Sequence, residues 1–386
     1  MSTSFPVAPP PLPRRKERWW LHVLLLALTL GTTSLAGVFF ASNLDQFRTA
    51  PLTAATIVER FSAGLLTFSL PLMAILFTHE MGHYLACRRY GIDASPPYFL
   101  PFLPLPPLPG TLGAFIRIRE PFPTRRQLLD VGAAGPIAGF VVALPVLIYG
   151  LLHTSRHAMS GEGATVFGYP LGVTLLQKLL LGETFTSYEA WEHPTFMAGW
   201  FGLFVTALNL VPLGQLDGGH VVYAAFGLRH RRVVPFLLVA LFALGFAYAG
   251  WWFWMVMILV LGGLRHPPTL DDEVRLDGKR KGVVLLSAAI LVFCFNPKPI
   301  WVDEGSPRRT PHEGRGTLVH QLDLHRGAED AGRHRQAVRP QPVHEAREER
   351  LGDLGAGCPL EAGPAPAREV GPQRELRHRQ HRAAGL

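Results

Sequence analysis

Three ionisable side chains, His79, Glu80 and His83, sit in a run of apolar residues long enough to cross a bilayer, and this constrains the chain more than any other feature. Charged or titratable groups in hydrocarbon are costly and tend to be kept for function. In the segment HEMGH the two histidines are four residues apart. A helix therefore presents both imidazoles on one face, where they can hold one metal ion. Glu80 lies beside them and can take a proton from a water that the metal activates. Zinc, one ion per chain, is the expected cofactor.

The apolar residues, 48% of 386, are concentrated in blocks, which points to a polytopic membrane protein. The expected fold is an all-α polytopic membrane protein of about six to seven transmembrane helices, with a re-entrant or β-hairpin element near the active site. The expected spans are 19–41, 61–90, 127–152, 196–211, 233–263 and 282–295. The 233–263 stretch is too long for one helix, so a break near 249–250 makes it a pair. Residues 95–123 are apolar but too rich in proline for a regular helix, and 114–119 alternates like a strand. Irregular backbone at membrane depth needs protein or water beside it, so the stretch reads as a re-entrant or interfacial hairpin next to the site, with a plain interfacial loop as the alternative. Residues 153–195 read as a polar, mixed loop on the opposite side.

The domain expectation is a disordered basic lead over 1–18, a membrane domain carrying the HEMGH site over 19–300 and an Arg-rich tail over 301–386. Residues 302–386 hold 14 Arg and 7 His but no Phe, Trp, Tyr, Ile or Lys. That composition cannot bury a core, so the tail reads as disordered or as an aberrant, frame-shifted product, with a basic partner-binding tail as the alternative. The net charge of +8 does not call for a nucleic-acid partner, because the basic residues outside the tail flank apolar segments. Clusters at 14–18, 88–89, 125–126, 229–232 and 279–281 can all lie on one side, which puts the site end toward the cytosol. With no transit peptide apparent, a bacterial plasma membrane is the expected location. Cys87, Cys294 and Cys358 have neither disulfide nor metal spacing.

Zinc needs a third protein ligand, with a fourth position left for water. Asp217, in NLVPLGQLDGGH, is the candidate, since its span ends on the same side as HEMGH. The alternative is a helix N-cap. Pro212 should end the preceding span, and Gly218 and Gly219 allow close backbone approach. Asn209 either donates a hydrogen bond to substrate or oxyanion, or ties two helices together. Gly113 and Ala114 are candidates for holding an extended substrate segment. Gly135, Pro136 and Gly139, with Gly132, suit close helix packing in GAAGPIAGF. His220 reads as a bystander or a supporting group. His22, His153, His157, His193, His230 and His266 have no metal spacing and read as surface or interfacial.

HEMGH in a membrane helix, followed much later by NLVPLGQLDGG, resembles the site-2 protease family of intramembrane zinc metalloproteases. The stretch PGTLGAFIRIREPFPTRRQLLDVGAAGPIAGF resembles its plastid and bacterial branch without a PDZ insertion. The resemblance covers about residues 60–300. It implies zinc ligation by His79, His83 and Asp217, Glu80 as general base, and a transmembrane protein as substrate. Two other classes compete with this reading: a membrane metal-ion transporter and a catalytically inactive membrane interaction protein.

Overall fold

The computed structural model describes residues 17–42, 51–155, 165–187, 192–261 and 266–302. The basic lead up to residue 16, His157, Cys358 and the tail beyond residue 302 lie outside the described residues.

The chain is mostly helical, with two small sheets. Helix α1 (Trp19–Ala41) is followed by α2 (Ala54–Gly64), a π-helical turn (Leu65–Ser69) and α3 (Leu70–Arg89) in one continuous rod. Strands β1 (Tyr98–Pro101) and β2 (Thr111–Phe115) come next, then α4 (Arg125–Leu152), strand β3 (Thr165–Phe167) and α5 (Leu171–Leu181). The second half holds α6 (Pro194–Asn209), α7 (Asp217–Phe226), α8 (His230–Ala247), α9 (Gly250–Leu261), α10 (Gly278–Cys294) and strand β4 (Ile300–Val302). Four helical stretches among the described residues are long and apolar enough to cross a membrane: Trp19–Ala41, Ala54–Arg89, Arg125–Leu152 and Asp217–Ala247. This is a multi-pass membrane protein.

Local chemistry sets several helix starts. Thr53 opens α2 with a reciprocal Thr53/Thr56 capping box, and the Asp277 carboxylate accepts the Arg280 N–H at 2.9 Å to open α10. Helix α4 runs through Pro136 and Pro145 without ending. It forms the centre of the bundle, with α3, α6 and α7 packed along it. Small residues permit these approaches. A Cβ on Gly82 would lie 2.5 Å from the Ala134 carbonyl oxygen, and one on Gly150 would lie 2.0 Å from the Phe196 nitrogen. An aromatic core of Phe40, Phe68, Phe196, Trp200 and Phe201 fills the end away from the HEMGH segment. Large apolar side chains such as Val23, Leu66, Val141, Phe236 and Leu285 remain exposed on the outside, as a lipid-facing surface requires.

Three expectations need correction. The strand expected over 114–119 begins earlier, as β2, where Gly113 has φ +103° and faces Leu100 across the β1 hairpin. Beyond Phe115 only an isolated bridge, Ala94 to Ile118, continues the pairing. The expected loop at 153–195 instead contains β3 and α5, and its Phe167, Val173, Leu176 and Phe185 enter the core. Strand β3 pairs antiparallel with β4, so Trp301 and Val302 belong to the folded part. The polar residues around α5 obscured the apolar spacing inside LGVTLLQKLLL. Finally, His22, His230 and His266 are buried rather than at the surface. Each has a backbone carbonyl near one ring nitrogen, Pro97, Pro212 and Pro267 respectively, which offsets the cost of burial.

Candidate metal centre

His79 and His83 lie one turn apart on α3, and both are buried, as is Glu80 between them. Their Nε2 atoms are 3.2 Å apart. Asp217 comes from a helix 138 residues further on, and its two carboxylate oxygens reach both rings. Oδ2 lies 3.2 Å from His79 Nε2, and Oδ1 lies 3.3 Å from His83 Nε2. One ligand atom from each of the three residues falls within 4.8 Å of the other two. Two imidazole nitrogens and one carboxylate form the donor set of a zinc site with one position left open.

Asp217 is the first residue of α7, and the cap position is Leu216, which makes no side-chain capping bond. The carboxylate is therefore directed to the histidines rather than to its own helix end. The preceding turn folds back under that helix. A Cβ on Gly218 would lie 2.0 Å from the Leu210 carbonyl oxygen, and one on Gly219 would lie 2.4 Å from that of Gly214. Neither position leaves room for a side chain, which accounts for the paired glycines after Asp217. Pro212 lies in this turn, just past the end of α6.

Helix α4 supplies the wall beside the two histidines. Its Val131 carbonyl accepts a hydrogen bond from His83 Nδ1 at 2.7 Å, which leaves Nε2 free to ligate. A Cβ on Gly135 would lie 2.0 Å from His83 Nε2, and one on Gly139 would lie 3.0 Å from the His79 Cβ. The glycine spacing in GAAGPIAGF is therefore a cradle for the two imidazoles, as well as a packing seam. Pro136, between them, removes the N–H that would otherwise bond the Gly132 carbonyl.

Asn209, the last residue of α6, places Nδ2 3.2 Å from His79 Nε2. The hairpin meets the centre at Ile116, whose backbone N–H faces the Glu80 carboxylate. Gly113 and Ala114 lie a few residues earlier, in β2, and nothing comes within 4 Å of a Cβ built on Gly113. His220, one turn after Asp217, bonds to His266 at 2.6 Å. The sequence carried no sign of that partnership, because His266 is isolated in a segment without periodicity.

The profile of peptidase family M50 matches residues 67–249, the stretch that carries HEMGH, the α4 cradle and Asp217. The chain contains a peptidase family M50 domain. This is the site-2 protease type of domain, and several of its curated relatives are plant proteins. Over 309 residues the chain is 28% identical to "Probable zinc metalloprotease EGY1, chloroplastic" of Arabidopsis thaliana, covering 75% of this chain and 55% of that protein. It is 28% identical over 262 residues to the Oryza sativa subsp. japonica protein of the same name, covering 66% of this chain and 44% of that one. The Arabidopsis protein "Probable zinc metalloprotease EGY2, chloroplastic" is 28% identical over 269 residues, covering 68% and 48%. The chain with the M50 domain thus spans about half the length of these relatives.

Proposed function

We propose that this chain is an intramembrane zinc metalloprotease that cleaves membrane-protein substrates within or next to their transmembrane segments. One observation carries the reading: His79, His83 and Asp217 converge on a single buried point with Glu80 beside it. The zinc metalloprotease names of the relatives support it. His79, His83 and Asp217 would hold the ion, and the donor set and the side-chain-free cradle at Gly135 both fit one. When bound there, zinc supplies Lewis-acid polarisation of a carbonyl and makes water acidic enough to attack near neutral pH.

The protein's own groups do the rest. Glu80 takes a proton from the attacking water and returns it to the leaving amine. The Val131 carbonyl fixes the His83 tautomer. Asn209 is placed to donate to the oxygen on which charge develops. A substrate helix must unwind before its carbonyls are exposed. Strand β2 pairs only with β1 among the described residues, so its other edge can hold the unwound segment by strand addition. Gly113 and Ala114 lie on that strand, and residues 95–123 form the re-entrant element of the proposed site.

Helices α6, α9 and α10 are apolar but only 16, 12 and 17 residues long. Counted with the four longer stretches, they give six to seven passes, with α9 short for a full crossing on its own. Among the described residues, Arg280 meets Tyr90 and Asp130, and Arg126 meets the Arg275 carbonyl, at the site end. By the positive-inside rule this supports a metal centre near the cytosolic side. The relatives' names are chloroplastic, so the expected bacterial plasma membrane finds no support among them.

The test is Glu80→Gln in the full chain, co-expressed with a panel of single-pass membrane reporters tagged at both ends. The parent yields split reporters, and the variant keeps its zinc and yields none. Equal cleavage by the two proteins would overturn the assignment of Glu80 and the protease reading with it.

A further inference from the structure

Asp217 reaches the histidines from the very start of a ten-residue helix, so a small shift of α7 would pull the carboxylate out of range. Residues 266–272, between α9 and α10, lie against this helix at three points. The His266 Nε2 is 2.6 Å from His220 Nδ1. The His266 ring stacks on Tyr223 at 4.3 Å, with 19° between planes. The Tyr223 hydroxyl donates to Asp272 Oδ2 at 2.7 Å, while Thr269 Oγ1 donates to Asp272 Oδ1 at 2.6 Å. The same segment is fastened to the approach of α4. Leu270 N–H donates to the Phe122 carbonyl at 3.0 Å, and Asp271 N–H to the Pro123 carbonyl at 2.9 Å. It therefore straps the helix bearing Asp217 to the helix that cradles His79 and His83.

The protons in this strap run one way. His266 Nδ1 is 2.5 Å from the Pro267 carbonyl, which can only accept, so Nδ1 carries the hydrogen. Burial pushes the His266 ring down to about 4, so it is neutral near pH 7 and its Nε2 is a bare acceptor. His220 must then donate through Nδ1. His220 in turn backs onto α4: a Cβ on Gly132 would lie 2.7 Å from the His220 Cβ and 3.5 Å from the Asp217 carbonyl oxygen.

We propose that His266 is a positioning residue of the metal centre: acting through His220, the 266–272 strap holds Asp217 at ligating distance from His79 and His83. The proposal rests on the metal reading above. No sequence motif assigns a role to residues 266–272, so it extends the site to a segment 49 residues further along the chain, counting from 217 to 266.

The experiment is chelator competition for zinc on the full chain in detergent, together with melting of the zinc-free protein. His266→Ala should weaken zinc binding by about tenfold or more, the usual scale for groups that orient a ligand. His266→Gln keeps an acceptor for His220 and should recover most of that loss. Tyr223→Phe removes only the bond to Asp272 and should cost a few-fold at most, which keeps the test open if the alanine variant folds poorly. Zinc affinity unchanged in His266→Ala, or lowered equally in the alanine and glutamine variants, would overturn the proposal; the second result would reduce the strap to packing. Zinc absent from the parent would sink the metal reading itself, a failure separate from either.

Discussion

At the scale of single residues, the decisive contacts are those where one extra carbon cannot be accommodated. Gly135→Ala would put a Cβ 2.0 Å from His83 Nε2. Zinc content should fall below detection, a loss of more than about 100-fold in affinity, while the helical circular dichroism is kept; full zinc loading of this variant would contradict the cradle. A second residue prediction concerns pH. Glu192 is buried just before α6, where it accepts from the Tyr169 hydroxyl at 2.9 Å, and burial pushes its carboxyl up to about 7. The folded state keeps this proton while the unfolded state loses it near 4.5. The stabilisation is thus complete below about pH 4.5 and is lost as pH rises through 7. Glu192→Gln should therefore melt higher than the parent at pH 8 and level with it at pH 4.5; a lower melting point at pH 8 would be the contrary result. The histidine pair and Asp217 were legible in the sequence because a helix period and a membrane context left few other uses for them. Buried His22, His230 and His266 were not, because the first two pair with backbone carbonyls far along the chain and His266 pairs with a histidine of another element.

At the scale of elements, apolar block length predicted α1, α4 and α6 within a few residues. It also predicted the break between α8 and α9, since hydrocarbon thickness sets those lengths. It gave no hint of the π turn at Leu65–Ser69, inside the rod that leads to HEMGH. A π turn widens the helix and leaves a main-chain carbonyl short of a donor. Thr195 supplies one, with Oγ1 donating to the Thr67 carbonyl at 2.7 Å, and Thr33 and Ser69 hydroxyls bond nearby at 2.5 Å. These partners come from α6 and α1, so the turn is written in tertiary contacts rather than in local sequence. Thr195→Val should destabilise the fold by about 1–3 kcal/mol, the cost of stranding a buried carbonyl. Denaturant unfolding in mixed micelles measures this, and an unchanged midpoint would mean the turn stands without Thr195. The 153–195 stretch was misread for a related reason: α5 is short, and its apolar residues are interrupted by polar ones that the core tolerates.

At the scale of the molecule, the site end is held by links between distant parts of the chain. Arg280, at the start of α10, bonds the Asp130 carboxylate of α4 through Nε at 3.0 and 3.1 Å. The Tyr90 hydroxyl, at the end of α3, donates to the same carboxylate at 2.5 Å. The cluster joins three helices around the metal centre, and replacing its cation leaves Asp130 without its ionic partner. Arg280→Met should lower stability by about 1–3 kcal/mol and weaken zinc binding; a variant as stable as the parent would confine the cluster to the surface. The account as a whole depends on two motifs, 138 residues apart, making one metal site. The most direct measurement is zinc per chain in this purified chain and in its His79→Ala and Asp217→Ala variants. The account predicts about one ion in the parent and loss in both variants. Zinc retained in Asp217→Ala, with loss only in His79→Ala, would contradict it.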